Sequence, residues 1–340
     1  MARITFEEVT KLYPGAGKPA VDAVSFEVKA SSEGSTICML LGTSGSGKTT
    51  LLRMVNRLIE PTSGRILLDG ENILQENVIT LRRRIGYVIQ QVGLFPHMNI
   101  AENIRITAEI AGWSKQRMSE RVDELLNLVE LEPAIYRKRF PRQLSGGQQQ
   151  RVGLARALAA DPDILLMDEP FGALDAITRE RLQNELRRIA RTMHKTILFV
   201  THDVEEAFKL GSQIAILSEG RLMQLGSPIE LLAYPADDFV AKLVGADNIL
   251  RQLQYLPAAT ALDSGSHIDG DRGVDLPRIP ASETLLHAML TLIQTNSPVL
   301  AVYNDETQDL EGYITLASIN REVTRAQSTE KSRAMMQVEG

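Results

Sequence analysis

The sequence predicts an α/β protein built on a parallel sheet, followed by a smaller α/β unit. Three observations carry that expectation. A near-continuous apolar run at 36–41 passes through a glycine-rich turn into a helix-compatible stretch at 49–58. Apolar runs at 163–167 and 196–200 each follow a helical stretch, the alternation expected of parallel strands joined by crossovers. After a polar interval, periodicity returns from about residue 282.

Taken in order, residues 3–9 and 21–29 read as strands, with β-branched and aromatic residues alternating around the turn-forming segment Pro14–Pro19. Such short strands suit an antiparallel edge subdomain. From about 100 to 135 the apolar period becomes 3.6, as in Val122, Leu125, Leu126 and Val129, which implies a helical insertion. The stretch 263–273 mixes turn formers and charges and reads as a linker or long loop. A helix at 282–293, an apolar strand at 298–303 and a further extended run at 312–316 make a βαβ-sized unit. The residues from about 327 are polar and read as a flexible tail. The expected division is therefore 1–245, a linker or degenerate repeat at 246–278, a small domain at 279–326, and a tail at 327–340.

The 340 residues allow one large domain and a smaller one. A composition of 44% apolar and 24% charged residues, with 14 prolines, is that of a globular chain with a real core. Lys and Arg total 37 against 43 Asp and Glu, a net charge of −6 without blocks of like charge, which argues against nucleic acid as the main partner. The single cysteine, Cys38, sits in an apolar run and reads as a small buried hydrophobe; no disulfide can form within the chain, which suits a reducing compartment. The first residues carry acids where a secretory signal needs an apolar core, and no segment reaches about 18 uninterrupted apolar residues. A role at a membrane is then expected from its surface.

Gly42-Thr43-Ser44-Gly45-Ser46-Gly47-Lys48-Thr49 fits the phosphate-binding pattern GxxxxGK[ST], placed after an apolar strand and before a helix as the mechanism requires. Glycines let successive N–H groups point at phosphate oxygens, Lys48 reaches the β and γ phosphates, and the Thr49 hydroxyl suits magnesium; Thr50 joins the nucleotide-binding set. The run Ile164–Met167 carries Asp168 and Glu169 to a strand's C-terminal end, where ligands of open α/β sheets collect. There Asp168 suits magnesium, and Glu169 suits activation of the attacking water. Ser145, Gly146, Gly147 and Gln148 open a helix at 149–158 and offer a second anion-binding surface.

The segment Leu144–Gln148 resembles the signature of the ABC ATPase family, and the resemblance spans residues 3 to about 235. It implies a P-loop NTPase domain with an antiparallel β subdomain and a helical subdomain, taking ATP and Mg2+. Members form head-to-tail homodimers in which one chain's signature covers ATP held by the other. By the same resemblance Tyr13 stacks on adenine, Gln90 senses magnesium and touches membrane subunits, and Ala173-Leu174-Asp175 joins the two sites. His202 matches the switch histidine at the γ phosphate; alone, such a His or Tyr would more often be structural. Two departures stand out: residues 29–35 are longer than the usual tight turn, and Thr43 replaces a frequent proline.

Residues 87–98 and 54–64 resemble the ATPase subunits of importers for glycine betaine, carnitine and choline. The segment 279–319 resembles a single CBS repeat, giving a small C-terminal α/β CBS-like domain, although Ser318 stands where an acidic residue often grips a ribose. The resemblance implies integral membrane permease subunits, an extracytoplasmic substrate-binding protein, and a peripheral location on the cytoplasmic face of the inner membrane. Two alternatives stay open: the same motor with an amino acid, polyamine or sugar as cargo, and a soluble ABC ATPase without transport.

Overall fold

The structure, a computed structural model, describes residues 2–28, 36–90, 93–172, 174–193, 195–263 and 276–324, without the side chains of 191–193. The expected long turn at 29–35, Ala173, nearly all of the polar stretch 263–273 and the tail from 327 lie outside the described residues. Two compact units divide at Ser227/Pro228.

The first unit holds two sheets. One is four-stranded, in the order Val21–Val28, Ile4–Lys11, Ser63–Leu68, Glu71–Asn72, with each neighbouring pair antiparallel. The other is six-stranded, in the order Arg221–Gly226, Gln213–Ser218, Thr36–Gly42, Thr196–Thr201, Ile164–Asp168, Ile85–Val88. Five of its strands run parallel, and Arg221–Gly226 closes one edge antiparallel. All seven residues of Thr36–Gly42 are buried, because a parallel strand with cover on both faces has no polar side to show. That is why it reads as a continuous apolar run rather than an alternating one.

One core joins the two sheets. Cys38 and Leu40 from the central strand, Leu166, Leu198 and Val200 from its neighbours, and Leu51, Leu52, Met54 and Val55 pack with Ile4, Val21, Ile66 and the stacked pair Phe6–Phe26. Each such side chain taken fully from water contributes about 1.5–3 kcal/mol. The helix Lys48–Val55 ends sooner than the expected 58. Arg57 takes a left-handed φ of 53°, while Arg57 N–H bonds Met54 O and Leu58 N–H bonds Arg53 O, the paired bonds that cap a helix C-terminus.

The helical insertion forms as three helices, Ile100–Ile110, Lys115–Leu128 and Pro133–Tyr136, followed by Gly146–Leu158. Asn99 and Glu102 form a reciprocal capping box at the first of these, with bonds of 2.9 and 2.8 Å. Five strands of this unit, Ser63–Leu68, Glu71–Asn72, Ile85–Val88, Gln213–Ser218 and Arg221–Gly226, add to those expected from the sequence.

The second unit contains the helices Pro228–Ala233, Asp238–Val244 and Ile249–Tyr255, then a three-stranded sheet in the order Arg278–Pro280, Leu300–Tyr303, Leu310–Ile314. The first pair is parallel and the second antiparallel, with the helix Leu285–Thr295 making the crossover and a helix at 316–324 following. Polar composition makes 246–278 look like a linker, yet Leu253, Leu256, Ala258 and Ala261 are buried with Leu285, Leu292, Leu300 and Ile314. Residues 249–261 are therefore part of this unit's core. The helices 228–233 and 238–244 likewise lie in the second unit, beyond the division at 227 rather than before one at 245.

Candidate active site

The strand Thr36–Gly42 delivers the chain into the phosphate loop, and the loop's shape depends on glycine. Gly47 has φ +97°, and a Cβ there would lie 2.3 Å from Ala20 O, so any side chain would break the turn that starts the helix. Lys48 follows, 5% exposed, with Nζ donating to Gly42 O at 2.9 Å, Thr43 O at 2.7 Å and Ser46 Oγ at 3.3 Å. Burial pulls its ammonium below the ordinary lysine range, and Glu169 and Asp168 pull it back. The cation is thus fixed across the loop, aimed by the loop's own carbonyls.

Asp168 ends the buried strand Ile164–Asp168 and is itself 4% exposed. Its Oδ1 accepts from Thr49 Oγ1 at 2.9 Å; its Oδ2 accepts from Tyr87 OH at 3.4 Å and from Arg53 Nη2 at 3.5 Å. Such partners offset the cost of taking a carboxylate this far from water. Arg53 and Tyr87 were not evident as site residues from sequence, because an Arg in a helix and a Tyr in a short strand carry no motif.

Glu169 leaves the strand in a left-handed conformation, φ 45°, with its N–H donating to Val200 O at 3.1 Å. A non-glycine residue in that region costs of order 1–3 kcal/mol and persists where surroundings impose it. The bend sends its carboxylate away from Asp168's partners. Gln90 Nε2 donates to Glu169 Oε2 at 3.3 Å, and His202 Nδ1 lies 3.3 Å from Glu169 Oε1. Asp168 and Glu169, adjacent in sequence, therefore serve two clusters: Thr49, Tyr87 and Arg53 around the first, Gln90 and His202 around the second. Gln90 meets the carboxylates through Glu169 and not through the Thr49–Asp168 pair.

Tyr13 is 38% exposed, its hydroxyl 3.4 Å from Thr50 Oγ1 and its ring 5.4 Å from Lys11 Nζ. An open aromatic face thus stands beside the helix that begins at Lys48.

Ser145 caps the helix Gly146–Leu158: its Oγ accepts from Gln148 N, and Gln148 Oε1 accepts from Ser145 N at 3.0 Å. Gln148 Nε2 also donates to Tyr136 OH at 2.9 Å. A Cβ on Gly146 would meet nothing within 4 Å, whereas one on Gly147 would lie 2.5 Å from Thr178 Cγ2. Asp175 in turn accepts from Thr178 N at 3.0 Å, and bonds from Thr178 hold its carboxyl below the ordinary range. Among the described residues, the side-chain hydrogen bonds of 145–148 stay within the helical region, and none reaches residues 42–50. The structure thus brings 42–50, 90, 168, 169 and 202 together and leaves 145–148 facing elsewhere, with Gly146 open.

A divalent cation fits the first cluster. Thr49 Oγ1 and Asp168 are hard oxygen donors, suited to Mg2+, which keeps several waters and takes substrate phosphate oxygens as further ligands; Gln90, expected from the sequence as a third ligand, is bonded to Glu169 instead. No cage of three or more acids and histidines is required, and none is found among the described residues.

Comparison with known proteins agrees with these features. Residues 21–172 match the ABC transporter family. The choline transport ATP-binding protein OpuBA of Bacillus subtilis (strain 168) is 45% identical over 318 residues, covering 94% of this chain and 80% of that protein. The osmoprotectant import ATP-binding protein OsmV of Salmonella typhimurium is 50% identical over 263 residues, covering 76% of this chain and 68% of that protein. Among solved structures, the dimeric ATP-binding cassette MJ0796 in a post-hydrolysis state, bound to ADP and Pi, is 33% identical with a TM-score of 0.58, covering 66% of this chain and 98% of that one.

Proposed function

The chain belongs to the ABC transporter family as an ATP-hydrolysing subunit, and from that membership we propose that it drives import of glycine betaine or a related quaternary amine. The observation that carries the motor reading is the split of adjacent carboxylates, Asp168 toward Thr49 and Glu169 toward Gln90 and His202. The cargo reading is supported by relatives whose names specify choline and osmoprotectant transport, among them a glycine betaine uptake protein of Escherichia coli, 44% identical over 306 residues.

In this reading ATP lies along residues 42–50, with its base on Tyr13 and its β and γ phosphates at Lys48. Thr49 and Asp168 would hold Mg2+, with Gln90 the third ligand expected from the sequence, and when bound the ion would supply charge neutralisation at the phosphates. Glu169 accepts a proton from the attacking water, and His202, held at 3.3 Å from the same carboxylate, orients it and contacts the γ phosphate. Ser145, Gly146, Gly147 and Gln148 present a helix N-terminus to ATP held by the partner chain, and Asp175 lies where the two chains meet.

The working assembly is a homodimer bound peripherally, on the cytoplasmic face of the inner membrane, to permease subunits served by an extracytoplasmic substrate-binding protein. No helix among the described residues is long and apolar enough to cross a membrane, so the pathway belongs to other chains. The strand–helix–strand–strand–helix order of 278–324 supports reading the tail as a CBS-like module that tunes uptake to salt. Salt dependence of uptake that survives removal of residues from 248 onward would dismiss that role.

Glu169→Gln tests the motor. It keeps the bond to Gln90 within reach but removes the proton acceptor, so turnover should fall by about 10²–10⁴-fold while ATP binding persists. Turnover within about twofold of the intact chain would exclude Glu169 as the base. Uptake of labelled glycine betaine, carnitine and choline, in cells relying on this chain, tests the cargo separately.

A further inference from the structure

Lys11 and Tyr13 stand two residues apart where the strand Ile4–Lys11 ends, the spacing that puts side chains on one face of an extended segment. Lys11 Nζ lies over the Tyr13 ring, 5.4 Å from its centre, and donates to Glu60 O at 2.7 Å. That acceptor is a neutral carbonyl, and the Glu60 carboxylate is taken by Arg57 Nη2 at 2.7 Å. Lys11 therefore brings a positive charge to the ring, inside the roughly 6 Å over which a cation is drawn to an aromatic face.

The rest of Tyr13 is held as well. Its hydroxyl is 3.4 Å from Thr50 Oγ1, on the helix Lys48–Val55 that follows the phosphate loop. Leu12 N donates to Thr62 Oγ1 at 3.0 Å, Thr62 N to Thr10 O at 2.8 Å, and Ala16 N to Tyr13 O at 3.1 Å, so the backbone is tied on both sides. Even so, the residue is 38% exposed. An aromatic side chain this open to water would ordinarily lose its torsional freedom only when a ligand arrives, at a cost to affinity. Here it is pinned beforehand at its backbone, its hydroxyl and one face.

We propose that Lys11 is a positioning residue for the nucleobase: its cation holds one face of Tyr13, so that the other is presented, already ordered, for a base to stack on. The inference rests on the reading above in which the base of ATP lies on Tyr13. Lys11 then acts through the ring and touches no part of the nucleotide. Its contribution should follow the stacking area of the base, larger for a purine than for a pyrimidine and nil for a phosphate chain without a base. Lysine suits the task because a compact charge on a flexible stem reaches the Glu60 carbonyl and the ring at once.

The test is titration of the full-length chain by calorimetry with ATP, UTP and inorganic tripolyphosphate. Lys11→Gln removes the charge but keeps an amide donor for Glu60 O. It is expected to weaken ATP about three- to fivefold, UTP less and tripolyphosphate not at all, with kcat at saturating ATP unchanged. Lys11→Arg keeps the cation and should bind ATP as the intact chain does. Tyr13→Leu should itself weaken ATP about tenfold, and in that background Lys11→Gln should have no further effect. Equal losses for ATP and tripolyphosphate would make Lys11 a general attractor of phosphate charge and overturn the proposal. A loss that persists in the Tyr13→Leu background would overturn it too, by making the role of Lys11 independent of the ring. If Lys11→Gln does not fold, Lys11→Met decides by the same comparisons. Unchanged ATP affinity in Tyr13→Leu would remove the stacking reading itself, whereas a weakened Tyr13→Leu beside an unchanged Lys11→Gln would remove the proposal alone.

Discussion

The phosphate loop and the signature are both glycine-rich approaches to a helix N-terminus, yet the chain treats them differently. Around the first, Lys48 binds three oxygens of its own loop, and Thr49 reaches across to Asp168 on another strand. Around the second, Ser145 and Gln148 satisfy each other, Gly146 faces open space, and among the described residues the longer side-chain reach is from Gln148 to Tyr136. One is wired for a ligand within the chain, and the other is finished locally and presented outward. Under the proposed composite site, two motifs with the same helix-terminus chemistry serve different sites.

That contrast breaks most sharply with one substitution in each region. Lys48→Ala removes the charge-assisted contacts to phosphate, each worth about 1.5–3 kcal/mol, so ATP affinity of the single chain should fall about 10²-fold or more. Gly146→Asp fits sterically, since a Cβ there meets nothing within 4 Å. It should leave single-chain ATP affinity within about twofold, yet lower turnover at least about 10²-fold, because a carboxylate facing phosphate costs several kcal/mol. Nucleotide titration by calorimetry beside steady-state turnover separates the two. Loss of single-chain ATP binding in Gly146→Asp would erase the distinction.

A smaller effect sharpens it. Gly147, unlike Gly146, packs against Thr178, so Gly147→Ala should destabilise by about 1–3 kcal/mol and lower the melting temperature by several degrees. Gly146→Ala should lower it by less. Thermal unfolding of the pair ranks the glycines by packing, independently of catalysis.

The smallest effect lies in the core beneath both. Burial pushes the Cys38 thiol from an ordinary 9.0 up to about 12. A folded pKa raised above the unfolded one contributes stability that is fully present below pH 9.0 and is lost as pH rises toward 12. Unfolding midpoints should therefore fall between pH 9 and pH 10 more in the intact chain than in Cys38→Ala. At pH 8 the thiol should react with alkylating reagents only as the protein unfolds.

Much of this was legible in the sequence, for reasons that particular residues make plain. Thr36–Gly42 announced itself because a doubly covered parallel strand has no polar face, and Gly47 because its backbone conformation excludes side chains. Ile85–Val88 did not, since four residues ending in a polar loop carry too little periodicity. Helix 48–55 stops early at a capping bond set by Arg57, a residue with no intrinsic preference for a left-handed turn. Residues 249–261 looked like linker because their burial depends on Leu285, Leu300 and Ile314, more than twenty positions later. Within the site, motif residues were visible and their supports were not. Arg53 and Tyr87 act through tertiary geometry, which no local pattern encodes.

The most direct test of the composite site mixes two inactive chains. Lys48→Ala keeps an intact signature, and Gly146→Asp keeps an intact phosphate loop. In a head-to-tail dimer of one of each, the second chain's loop meets the first chain's signature, and one of the two sites is whole. Equal mixing should then recover turnover, up to roughly a quarter of the sites of the intact protein. No recovery, with mixed dimers demonstrably formed in ATP, would contradict the account and place both motifs in the service of a single chain.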